Sequence, residues 1–72
     1  MTRLPILSGR KVVKALCTIG YIVINQRGSH IHLQHPERPP LTVPDHKEIA
    51  RGTLRAIIRE ADLTVEEFLK VL

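Results

Sequence analysis

His30 stands in the stretch Gln26-Arg27-Gly28-Ser29-His30-Ile31-His32. Imidazole is the side chain that exchanges a proton near neutral pH. RNA cleavage without a metal needs such a group to handle the proton of a ribose 2′-OH. It also needs neighbours that hold the adjacent phosphate and neutralise its charge. Arg27 and the amides of Gly28 and Ser29, which read as a tight turn, suit that second task. Because nothing in this set activates water through a metal, the expected products are a 2′,3′-cyclic phosphate and a free 5′-OH. His32 or water is left to act as the general acid. The plainer alternative is that His30 is a solvated strand residue, since a single histidine is a weak catalytic signal.

Two further arrangements bear on chemistry. Residues i and i+2 of a strand share a face at roughly 6.5–7 Å between Cα atoms, so His30 and His32 could both reach one Zn²⁺. His46 or Asp45 would have to supply a third ligand, and no cysteine pair or second cluster supports such a site; no metal or other cofactor is expected. Arg10 and Lys11 fall in the first turn of a helix, where cations oppose the dipole at a cost of ~0.3–1 kcal/mol each. A cationic helix N-terminus is, in exchange, a seat for phosphate. Arg51, Arg55 and Arg59 repeat every four residues and would form a basic stripe, either solvated or facing RNA or an acidic protein. Tyr21 and Phe68 are the only aromatics, which disfavours a module that binds single strands by base stacking.

These residues need a scaffold. Ser8 is placed to cap a first helix over residues 8–19, with Leu7 stapling onto Val12. Val12, Val13, Leu16 and Cys17 recur at helical spacing, and Gly20 supplies the left-handed exit. Tyr21–Arg27 and His30–His35 alternate as two strands of a hairpin about Gly28-Ser29. Leu41–Val43 is a short third strand after a proline loop. On this alternation Ile22, Ile24, Ile31 and Leu33 face the helices. Tyr21, Val23, Asn25, Arg27, His30 and His32 then share a polar, open face. Thr53 is expected to cap a second helix with the stripe Leu54, Ile57, Ile58 and Ala61, ended by Asp62. Thr64-Val65-Glu66-Glu67 has the form of a capping box, with Leu63 stapling onto Phe68. Val65, Phe68, Leu69 and Leu72 give the last helix its apolar face. The order predicts a small two-layer α+β domain, with helix, three-stranded antiparallel sheet and helices in succession.

The chain of 72 residues has room for one domain, read as 1–72. A core this small leaves no place for a deep pocket, so a site should be shallow and open to a large substrate. Eleven Lys and Arg against seven Asp and Glu give a net charge of +4, which favours a polyanionic partner. One cysteine precludes an internal disulfide and suits a reducing cytoplasm. No apolar run approaches the roughly 20 residues of a membrane span, so no membrane association is expected. The start, Met1-Thr2-Arg3-Leu4-Pro5, does not resemble a signal peptide.

Taken in order, several segments resemble the HicA toxin family over nearly the whole chain. They are Leu4-Pro5-x-Leu7-Ser8-Gly9, Gly20-Tyr21, Gln26-Arg27-Gly28-Ser29-His30, His35-Pro36, Val43-Pro44-Asp45-His46, Gly52-Thr53-Leu54-Arg55-x-Ile57 and Thr64-Val65-Glu66-Glu67-Phe68-Leu69. The resemblance implies a fold similar to double-stranded-RNA-binding domains, a toxin that cleaves mRNA, and an antitoxin of the HicB type that blocks it. It also implies that His30, the histidine of Gly-Ser-His, is catalytic. Asp62 departs from the family, where glycine is frequent, and suggests a slightly strained helix end.

Overall fold

The computed structural model describes residues 3–72; Met1 and Thr2 lie outside it. The elements run α1 (Gly9–Thr18), β1 (Ile22–Arg27), β2 (His30–Gln34), β3 (Leu41–Pro44), α2 (Arg51–Glu60) and α3 (Val65–Lys70). The sheet is antiparallel in the order β1-β2-β3. The predicted α+β domain is therefore present, with its core on one side of the sheet. There Ile31 and Leu33 of β2 and Leu41 and Val43 of β3 are buried together with Val12 and Leu16 of α1, Leu54, Ile57 and Ile58 of α2, and Phe68 of α3.

Local signals account for most boundaries. Ser8 Oγ accepts from the Lys11 amide at 3.2 Å and starts α1. Gly9 is required by contact, because a Cβ there would overlap the Pro44 carbonyl oxygen; its amide instead donates to His46 O at 2.9 Å. Thr64 and Glu67 complete the capping box of α3 in both directions, at 2.9 and 3.1 Å. Asp62 adopts φ +61, so the left-handed exit from α2 is made without glycine.

The structure corrects the reading of β1. Ile22 and Ile24 face solvent, 63% and 48% exposed, whereas Tyr21 is buried at 2%. A bulge between Val23 and Asn25 is the reason: Val23 pairs with Leu33 and Asn25 with His32, so Ile24 is an extra residue. Two residues then oppose one on the partner strand, and the in–out alternation changes parity. Val23 thus shares the face of buried Leu33 but, on an edge strand exposed throughout, stays 43% exposed, while Ile22 stands opposite exposed Gln34. Tyr21 precedes the strand and tolerates burial because its hydroxyl donates to Pro39 O at 2.9 Å.

Smaller differences have equally local causes. The α2 helix begins two residues before the expected cap, at Arg51, with Ala50 in the cap position and no side-chain capping bond; Thr53 lies inside the first turn. In α1 the buried small residue is Ala15, while Cys17 is exposed. Leu72 is half exposed beyond the end of α3. Ile49, isolated in the polar connection after β3, is buried, and its amide donates to Leu7 O at 2.8 Å.

Candidate active site at the hairpin end

The β1–β2 turn is built for a residue like Gly28. Gly28 has φ +56 while Ser29 does not enter the positive region, the pattern of a II′ hairpin turn. The turn is held from the helix side. Gln26 Nε2 donates to Gly28 O at 3.0 Å and to Asp45 Oδ2 at 3.1 Å. Arg10 of α1 donates to the same Asp45 oxygen at 3.1 Å, and the Asp45 amide donates to Ser29 O at 2.7 Å. Asp45 therefore ties the helix N-terminus, the end of β3 and the turn together. The Ser29 carbonyl accepts from the Asp45 amide and the Gly28 carbonyl from Gln26, while among the described residues nothing accepts from the Gly28 and Ser29 amides.

His30 opens β2 directly opposite Arg27 on the outer face of the sheet, and both side chains are exposed. His32 follows on the same face, paired with Thr42 of β3. Its Nδ1 lies 3.1 Å from Thr42 Oγ1. A shallow, open cleft runs across this face, lined by Asn25, Arg27, His32, Gln34 and Thr42.

The structure thus brings His30, Arg27, Gly28 and Ser29 together at one end of the sheet. Arg10 reaches the same turn through Asp45, from the helix side. Lys11 is not part of this group. It lines a separate cleft with Lys14, Ile6 and Leu72 that contains no hairpin residue. Arg51, Arg55 and Arg59 all lie on α2 and are exposed. Asp45, weighed above as a third metal ligand, is engaged by Arg10 and Gln26. Among the described residues no group of three or more His, Cys, Asp or Glu could hold a metal ion, and no helix is long and apolar enough to cross a membrane. The turn-locking pair Gln26 and Asp45 carries no signal in composition or periodicity; each appears in the sequence only as a member of a short motif.

A helix, an antiparallel three-stranded sheet and further helices, with an exposed histidine beside a pinned turn, make a small α+β domain whose fold is similar to that of double-stranded-RNA-binding domains. Comparison with known proteins is specific beyond that. The family model described as HicA toxin of bacterial toxin-antitoxin matches residues 9–63. A solved structure, a toxin–antitoxin complex from Streptococcus pneumoniae, contains a chain 31% identical with a TM-score of 0.70. The match covers 79% of this chain and 98% of that one. No curated protein matches the sequence. The chain belongs to the HicA toxin family.

Proposed function

We propose that this chain is the toxin of a toxin–antitoxin pair and acts as a metal-independent endoribonuclease on mRNA, in the cytoplasm. The observation that carries this reading is the exposed His30 opposite Arg27, at a turn pinned by Asp45, in a HicA-family chain. In the reaction the ribose 2′ oxygen bonds to phosphorus and the P–O5′ bond breaks, leaving a 2′,3′-cyclic phosphate and a 5′-OH. His30 transfers a proton at a reacting oxygen, while Arg27 and the free amides of Gly28 and Ser29 take up the phosphate charge. Arg10 adds positive charge behind the turn, and Lys11, in the cleft with Lys14, is assigned a flanking phosphate. The donor set argues against a bound metal, because the Nδ1 of His32 is paired with Thr42 and Asp45 is paired with Arg10 and Gln26.

The partner is assigned as an antitoxin of the HicB type. The solved relative comes from a toxin–antitoxin complex, and the exposed Arg51, Arg55 and Arg59 offer an acidic partner a basic surface. The test is incubation of the pure chain with labelled RNA, with and without EDTA, alongside His30→Ala. Cleavage that resists EDTA and disappears in the variant supports the reading. Cleavage at the native rate by the variant makes this a non-catalytic RNA-binding module with a contaminating nuclease, and loss with EDTA that Zn²⁺ restores overturns the metal-free mechanism.

A further inference from the structure

We propose that His32 is the second proton-transfer group of this site: it protonates the departing 5′ oxygen while His30 takes the proton from the 2′-hydroxyl. The inference rests on the endoribonuclease reading of His30 and extends it to a complete acid–base pair.

The chemistry calls for two groups. In an in-line displacement the attacking and leaving oxygens lie on opposite sides of phosphorus, so one imidazole does not serve both at once. The proton from the 2′-OH passes to His30, the 2′ oxygen bonds to phosphorus, the P–O5′ bond breaks, and the O5′ electron pair takes a proton from His32. Charge and protons balance with no further reactant. His30 and His32 are i and i+2 on one strand face, at roughly 6.5–7 Å between Cα atoms, a separation that lets two rings flank one phosphate.

His32 is also the more strongly held of the two. Thr42 stands directly across from it on β3, with its hydroxyl oxygen at 3.1 Å from Nδ1. When Nδ1–H donates to that oxygen, Nε2 is the nitrogen left to exchange a proton. The ring lines the open cleft with Arg27, so the phosphate contact and the acid share one surface. The other described strand residues on this face offer no competitor. They carry a guanidinium (Arg27), amides (Asn25, Gln34), a hydroxyl (Thr42) or apolar groups, none of them a proton-transfer group of the imidazole kind.

The experiment separates the acid from the base by the leaving group. The linkage that the native chain cuts is first mapped in an RNA oligonucleotide. The same oligonucleotide is then made with sulfur replacing the bridging 5′ oxygen, a leaving group that departs as thiolate and needs no proton. His32→Ala should lower cleavage of the ordinary linkage by about 10²–10⁴-fold and cut the sulfur linkage within a few-fold of the native rate. His30→Ala should lose both. Thr42→Val, which keeps the branched shape and removes the oxygen, should slow only the ordinary linkage, by up to about tenfold. Thermal unfolding of each variant checks that the fold persists. Native-rate cutting of the ordinary linkage by His32→Ala, or equal loss on both linkages, overturns the assignment while leaving His30 in place. Failure of the native chain to cut any RNA overturns the endoribonuclease reading, and this inference with it.

Discussion

His35 and His30 lie at opposite ends of one stretch of chain and meet opposite surroundings. Two amides, of Glu37 at 3.0 Å and Arg38 at 3.2 Å, donate to His35 Nδ1. That nitrogen therefore carries no proton, and Nε2–H donates to Ile19 O at 2.8 Å. Tyr21 meets the ring edge-on at 4.9 Å, and Gly20 leaves the space that the ring fills. The Arg38 side chain continues the network, donating to Ala61 O at 2.8 Å and Asp62 O at 3.1 Å at the end of α2. His30, by contrast, has no ring partner among the described residues and is exposed. A ring whose nitrogens are both taken holds loops and helices in place. A ring with both nitrogens free keeps its bonding capacity for a substrate.

The comparison breaks most sharply at His30. His30→Ala should cost about 10²–10⁴ in cleavage rate, or roughly 3–5 kcal/mol of barrier, and change stability by no more than about 0.5 kcal/mol. A cleavage assay run beside thermal unfolding reads both quantities. A variant that unfolds would make His30 a structural residue like His35. The reciprocal change, His35→Ala, strands the Glu37 and Arg38 amides and the Ile19 carbonyl. It should cost about 1–3 kcal/mol, a drop in Tm of several degrees for a domain this small, with native cleavage per folded molecule. If cleavage falls while Tm holds, the division of labour between the two histidines is wrong.

Two smaller effects sharpen the structural side. Asp62→Gly relieves the positive φ while keeping the carbonyl that Arg38 uses. It should raise stability by up to about 1 kcal/mol, measurable as a higher midpoint in urea; a lower midpoint would mean that the aspartate side chain supports the corner. Acid should loosen α3. The Thr64 backbone amide, then its side-chain hydroxyl, hold the Glu67 carboxyl below its ordinary range. A lowered folded pKa contributes stability that is present above the ordinary carboxylate range and lost as pH falls through the lowered value. The effect is small because Glu67 is fully exposed. NMR of the α3 amides should show fraying in that window, and no change there would discount the capping box.

Much of the fold was legible because its signals are local. Ser8, the Gly28-Ser29 turn, the Thr64–Glu67 box and the stripe Leu54, Ile57, Ile58 and Ala61 depend on neighbours three or four residues away. Tyr21, Ile22, Val23 and Ile24 were assigned to the wrong faces because a single bulge inverts a period of two, and nothing in a run of β-branched residues marks where the bulge falls. At the candidate site, His30 with Arg27, Gly28 and Ser29 was visible as one contiguous stretch. Asp45 and Thr42 were not, since Thr42 meets His32 only across the β2–β3 pair and Asp45 meets Gln26 and Arg10 only once α1, β1 and the end of β3 are folded together.

The sequence by itself determined the order of the elements, most of their ends, the apolar stripes that make the core and the histidine at the hairpin turn. These follow from backbone preferences and side-chain spacing along one short segment at a time. Tertiary structure alone decided which face β1 presents, that Gly9 must lie against Pro44, that Asp45 locks the turn to α1, and which histidines are tied and which are free. Those outcomes depend on groups that only folding brings within hydrogen-bonding distance, where a shift of one residue in register changes every partner.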